Sequence, residues 1–212
     1  MEISYLGHAS FKLKGKNATV VVDPFDPKIG LKFPKVEADI VASTHSHFDH
    51  NAISSVGGSP YVIEGPGEYE VKGIEIVGVA SWHDNKEGAE RGKNTIYNFK
   101  IDKINIAHLG DLGQTTLTEP QVEEIGNVDV LLLPVGGFFT IDASEANKIA
   151  SQLEPKIIIP MHFKGDSTVS ELADVDKFLK EIGKENIEAV PKLVVTPDKL
   201  PEETQVVLLS RS

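Results

Sequence analysis

Three stretches of the chain are apolar with no alternation: Val20-Val21-Val22, Val130-Leu131-Leu132-Leu133 and Ile157-Ile158-Ile159. A strand points successive side chains to opposite faces, so a run with no polar member must be covered on both of them. Short length and β-branched content make these strands rather than helix segments. Something has to lie over each face, and helices are the expected cover. Layered sheets with helices outside, an α/β (α+β) class, are therefore predicted. The 212 residues suit one sizeable domain and are short for two, so residues 1–212 are read as a single unit.

The first two thirds break into short β-rich runs: Ile3 to Leu6, Ser10 to Leu13, Ala18 to Asp23, Ile40 to Ser43, Tyr61 to Ile63, Ile74 to Val79, Thr95 to Ile101 and Ile104 to Ala107. Helices are expected later. Thr118-Glu119-Pro120-Gln121 has a capping-box pattern with an early proline and opens a short helix ending near Gly126. Asp142-Ala143-Ser144-Glu145 repeats it ahead of Ala146, Ile149, Ala150 and Leu153 at helical spacing. A third helix is predicted from Ser170 to Ile182, with Leu172, Val175, Phe178, Leu179 and Ile182 on one face and Gly183 closing it. Leu193 to Thr196 and Gln205 to Leu209 read as the last strands. Gly57-Gly58-Ser59-Pro60 and Gly65-Pro66-Gly67 read as turns.

The chemistry concentrates in Thr44-His45-Ser46-His47-Phe48-Asp49-His50, directly after the strand Ile40 to Ser43. Three of the chain's seven histidines fall there within six residues. If the backbone stays extended, His45, His47 and Asp49 point the same way and His50 turns aside. Imidazoles converging in this way are what a divalent metal takes, with nitrogen at about 2.0 to 2.1 Å. The chain has no cysteine, which excludes disulfides, thiolate zinc sites, iron-sulfur clusters and a cysteine nucleophile, so any metal must rest on His and carboxylate. The net charge of -11 has the wrong sign for a protein that lives on nucleic-acid phosphates. No apolar stretch reaches the ~18 residues of a membrane span, and Met1 to Gly7 has no basic leader with an apolar run behind it. No membrane partner is expected, and a cytoplasmic location is.

H-x-H-x-D-H after a strand resembles the signature of the metallo-β-lactamase superfamily. The resemblance extends through Tyr5-Leu6-Gly7-His8-Ala9-Ser10-Phe11, Val21-Val22-Asp23-Pro24-Phe25, Ser81-Trp82-His83-Asp84, Gly110-Asp111-Leu112-Gly113 and Ile159-Pro160-Met161-His162-Phe163. It is similar to the zinc-dependent hydrolase branch that includes ascorbate-6-phosphate lactonase-like proteins. That resemblance implies a four-layer αββα sandwich with the site at one edge between the sheets. It implies His45, His47 and His83 on one ion, Asp49, His50 and His162 on a second, and Asp111 bridging them. His83, Asp111 and His162 each also follow a predicted strand, where ligands belong. Asp23 is expected to receive an imidazole N–H or to tie down the metal loop. His108 is expected to face away from the ions, and His8 to lie behind the ligands or to face the substrate.

The implied chemistry is hydrolysis. Two zinc ions, or manganese or iron, would bring bound water to a pKa of about 7, with Asp49 or Asp111 orienting it and taking its proton. Di-iron redox members typically carry Glu where this chain has His47, which favours hydrolysis. The only arginines are Arg91 and Arg211. Arg91 and Lys164 are expected to meet an anionic group, so the substrate is read as a small anionic ester or lactone. The alternatives are a phosphodiesterase or nuclease on the same centre, and a metal-binding module without turnover. Phe138-Phe139 could line a pocket, form an oligomer contact or cap the core.

Overall fold

The structure, a computed structural model, describes residues 1–165 and 171–212. Its strands are β1 (Glu2–Gly7), β2 (Ser10–Lys14), β3 (Thr19–Val22), β4 (Ile40–Ser43), β5 (Tyr61–Glu64), β6 (Gly67–Val71) and β7 (Ile74–Trp82). Then come β8 (Lys93–Ile101), β9 (Ile104–His108), β10 (Val130–Pro134), β11 (Ile157–Met161), β12 (Leu193–Val194) and β13 (Gln205–Val206). Among the described residues they form two sheets, of six strands in the order β12-β1-β2-β3-β4-β5 and of seven in the order β13-β11-β10-β9-β8-β7-β6.

The unalternated runs behave as their composition requires. Val20 and Val22 face the core between the sheets, while Val21 faces outward into a second cluster. Val130 and Leu132 point inward, Leu131 and Leu133 outward, and Ile158 is turned outward between Ile157 and Ile159. All are buried, and each such side chain stabilises the fold by about 1.5 to 3 kcal/mol. Over the seven-stranded sheet lie α1 (Glu119–Ile125), α2 (Ala143–Leu153) and α3 (Val175–Glu181), which contribute Ile125, Ile149, Leu153, Phe178 and Leu179. Both capping boxes form as the sequence predicts, at Thr118 with Gln121 and at Asp142 with Glu145.

The fourth layer, over the six-stranded sheet, is thinner than the resemblance implies. Phe25, Ile29, Leu31, Phe33 and Val56 cover Leu6, Val21 and Val41 from loops and two 3₁₀ turns, Pro27–Ile29 and Ile53–Ser55. Pro24, Pro27, Pro34 and Pro60 keep a long helix from forming in these segments. Several boundaries also differ. The third helix begins at Val175, after Leu172, and the predicted start at Ser170 lies outside the described residues. β7 continues past Val79 because Ala80, Ser81 and Trp82 still pair with β8. Gly67 opens β6 rather than ending a turn. The last two strands are cut to two residues each. Beyond Val207, whose N–H still donates to Ile158 O at 2.9 Å, the chain leaves β11, bridging Leu209 to Val190 and then Arg211 to Tyr5. Among the described residues, no helix is long and apolar enough to cross a membrane.

Strand direction positions the site. β3 and β4 are parallel, and β1 shares their sense because it is antiparallel to β2, itself antiparallel to β3. In the other sheet β9, β10 and β11 are parallel, and β7 shares their sense through β8. The carboxyl ends of β1, β3, β4, β7, β9 and β11 are followed by His8, Asp23, the His45 to His50 loop, His83, Asp111 and His162. Ligands in open α/β sheets gather beyond such ends. Two backbone bonds, His162 N–H to His8 O and Thr95 N–H to Thr44 O, both 2.9 Å, join the sheets there.

Candidate metal centre

The loop after β4 is fixed by a buried carboxylate. Asp23 accepts from the Thr44 N–H at 2.8 Å and the Thr44 hydroxyl at 2.7 Å, and meets His50 Nδ1 at 2.8 Å. Thr44 Oγ1 in turn lies 3.0 Å from His45 Nδ1. The Nδ1 atoms of His45 and His50 are therefore engaged from behind, and both Nε2 atoms are buried with no hydrogen bond. Asp23 thus takes an imidazole N–H and ties down the loop, as metal-binding histidines require of their neighbours.

The Asp111 side is held by Asn94, whose Oδ1 accepts from the Asp111 N–H at 3.0 Å while its Nδ2 donates to Ser81 Oγ and Leu109 O. Gly113 lets the two ligand-bearing turns meet. A Cβ there would stand 2.4 Å from the carbonyl carbon and oxygen of His83. Asp84 ties the following loop by accepting from the backbone N–H groups of Lys86, Gly88, Glu90 and Arg91 at 2.7 to 2.9 Å. Burial would raise its carboxyl, but those four donors prevail and bring it down to about 2. His8, Asp23 and His162 have φ of 57°, 48° and 50°. Left-handed backbone at non-glycine residues costs roughly 1 to 3 kcal/mol and gathers at functional sites.

These supports bring three sets of donors together, each within 4.8 Å: His45, His47 and His83; His45, His50 and Asp111; and His8, Asp49, His50 and His162. Asp111 is central, its oxygens 3.2, 3.3 and 3.4 Å from Nε2 of His50, His83 and His162. Burial holds His45 down to about 3 and, with the charge of His162, His8 down to about 4, so both imidazoles are neutral donors at neutral pH. Burial also lowers His47. For His50, burial is outweighed by Asp111 and Asp23, which hold it well above its ordinary value. Against their own burial, Asp111 is held well below the usual carboxylate range by His162 and His50, and Asp49 is lowered by its hydrogen bond to His8 and the charge of His50. Among the described residues, Nε2 of His45 and His50, Nδ1 of His83 and His162 and Oδ1 of Asp111 are buried and make no hydrogen bond. Leaving such atoms unpaired costs about 1 to 3 kcal/mol each, so the donor set fits cations held among its members.

The seven residues expected as ligands all stand at this centre. The extended-backbone reading of the loop fails. Residues 44–50 bend, His47 O accepts from the N–H groups of both His50 and Asn51, and the Ser43 hydroxyl donates to His45 O and His50 O. His45 and His47 consequently group with His83, whereas Asp49 turns to the His50 side. His8 stands closer than the sequence suggests, its Nε2 3.2 Å from Asp49 Oδ2. The only sequence sign of this was the Gly7-His8-Ala9 turn. His108 lies outside all three groups, bonded to Ala9 O and the Gly110 N–H. The supports from Thr44 and Asn94 went unread, since nothing local marks a residue that braces a distant loop.

A cleft of about 410 Å³ opens beside His45 and His47, with Arg91 and Lys93 on its wall. Arg91 rests on Phe139, 4.8 Å from the ring centroid, while Phe138 is exposed at φ 60°. Phe139 therefore carries the guanidinium. Lys164 is exposed and does not line this cleft.

The family model of the β-lactamase superfamily domain matches residues 2–162. A UPF0173 metal-dependent hydrolase of Thermococcus onnurineus is 30% identical over 210 residues, covering 86% of this chain and 92% of that protein. A Thermotoga maritima structure, described as a Zn-dependent hydrolase of the metallo-β-lactamase superfamily, superposes with a TM-score of 0.82 at 40% identity, covering 100% of this chain and 99% of that one. A metal-dependent hydrolase structure from Parabacteroides distasonis gives 0.61 at 25% identity, over 85% and 89%. The chain belongs to the β-lactamase superfamily, among its UPF0173 metal-dependent hydrolases.

Proposed function

We propose that residues 1–212 act as one hydrolase domain that uses two zinc ions to cleave a small anionic ester or lactone. His45, His47 and His83 would hold one ion, Asp49, His50 and His162 the other, and Asp111 both. The observation that carries this reading is the convergence of three donor groups, linked pairwise through His45 and His50, with the Asp111 carboxylate 3.2 to 3.4 Å from His50, His83 and His162. Imidazole and carboxylate donors without thiolate suit zinc, and accept manganese or iron. When bound, such ions acidify a water and polarise the oxygen under attack.

The chain's own residues supply the rest. Asp49 and Asp111 are the catalytic carboxylates, which orient the attacking water and take its proton at a carboxylate oxygen. His8, 3.2 Å from Asp49 Oδ2, fixes that carboxylate's rotamer. Arg91, standing on Phe139 above the cleft, meets the substrate's negative charge, which the net charge of -11 otherwise repels.

A panel of lactones, carboxylic esters, phosphodiesters and phosphorylated sugars, assayed with metal-loaded protein, tests this. Turnover of an anionic ester or lactone is expected, lost by at least about 100-fold in Asp49→Ala with the fold retained. Arg91→Ala is expected to raise KM for anionic substrates and leave kcat near its starting value. Turnover confined to phosphodiesters, or activity indifferent to chelation, would overturn the reading.

A further inference from the structure

A second cavity, of about 270 Å³, is lined by His8 and lies between the turn after β1 and residues 208–211. Tyr5, Leu31, Phe163 and Leu209 make its apolar walls, and exposed Ser210 and Arg211 also border it. The Tyr5 hydroxyl donates to His8 O at 2.9 Å, and its ring is stacked with that of Phe163 at 6.4 Å between centroids. His8 is shared by the lining and the metal centre, its Nε2 3.2 Å from Asp49 Oδ2 and its ring centroid 4.3 Å from that of His162. A molecule filling this cavity ends one imidazole from the donors.

The cavity is built by the end of the chain. Ser212 N–H donates to Tyr5 O at 2.9 Å and Arg211 bridges to Tyr5, which lays the Arg211 stem against Gly7. Gly7 has φ 114°, and a Cβ there would stand 2.9 Å from Arg211 Cδ, so glycine makes room for the stem. One of the chain's two guanidiniums is thereby brought to an apolar pocket beside the metal centre.

We propose that this cavity is the subsite for the hydrocarbon part of the substrate, making the substrate a short-chain carboxylic ester or lactone rather than a sugar derivative. The proposal rests on the hydrolase reading above and narrows its substrate class. Walls of this kind give a sugar's hydroxyls few partners, and a polar group buried without partners is costly. At about 270 Å³ the space falls just below the usual range of ligand pockets, about 300 to 1,000 Å³, and suits only a short chain or small ring.

The test is equilibrium binding of hexanoate, which cannot be hydrolysed, to metal-loaded protein by calorimetry, with hexanol and glucose 6-phosphate for comparison. Hexanoate is expected to bind. Ala189→Trp, placing bulk on an exposed residue at the mouth, is expected to weaken it by about tenfold or more with metal content and thermal midpoint unchanged. Hexanol is expected to bind as well, and to be weakened by Ala189→Trp in the same proportion. Hexanoate binding that Ala189→Trp does not alter would place the carboxylate on the ions alone and overturn the proposal, as would tighter binding of glucose 6-phosphate. Hexanoate binding that is lost in Ala189→Trp, in a protein that cleaves no ester, would sustain the cavity and sink the hydrolase reading. Ester turnover indifferent to chain length, without hexanoate binding, would do the reverse.

Discussion

Asp23 shows how one side chain can set a whole loop. Fully buried, it satisfies two groups of Thr44 and the imidazole of His50, and through Thr44 it reaches His45. An amide at this position keeps one acceptor and adds a donor that faces other donors. Asp23→Asn is therefore expected to weaken metal affinity by about 10- to 100-fold, measured by competition with a chelator, while both sheets stay folded. Unchanged affinity would show that His45 and His50 orient themselves. Most residues at the centre could be read in the sequence because each stands just past a strand that composition alone marks. What could not be read was which donors share a partner. Parity holds along extended backbone, and the Ser43 hydroxyl closes the loop on His45 O and His50 O, so the alternation ends where the chemistry begins.

Among the elements, the parts fixed by local chemistry were the legible ones. Thr118 and Asp142 cap their helices with the pattern their neighbours spell out. The edge strands β12 and β13 depend on partners far along the chain, β1 and β11, while β6 is a hairpin arm whose residues scarcely alternate, and the extents of all three did not follow from composition. Contacts between turns are equally hidden. Gly113 admits the carbonyl of His83 so closely that Gly113→Ala must push the β7 end away from the Asp111 turn. A loss of about 1 to 3 kcal/mol is expected in thermal or denaturant unfolding, with weaker metal binding alongside it. An alanine variant as stable as the parent would mean that the two turns separate without cost.

For the whole molecule, pH tests how the buried centre is coupled to folding. In chelator-treated protein, burial holds His8 down to about 4 and His45 down to about 3, against an ordinary value of about 6.5. A folded-state value below the unfolded one gives stability that is full above about 6.5 and is lost as pH falls toward the folded value. Asp23 and Asp111, also lowered, withdraw theirs at pH below the ordinary carboxylate range. His50 is raised and acts in the opposite sense, full below about 6.5 and lost as pH rises through its folded value. More groups act in the first direction, so the thermal midpoint of the chelated protein is expected to drop between pH 6.5 and pH 4. A midpoint that rises over that interval would contradict the burial of neutral imidazoles.

The donors are drawn from strand ends as far apart as residues 8 and 162. A growing polypeptide emerging from its amino terminus can assemble the first sheet's contribution early, yet it cannot complete the four-member group until the eleventh strand has been made and docked. Cation capture by that group is then a late event in biosynthesis, and a prematurely terminated product would leave its histidines and carboxylates to bind ions loosely or not at all.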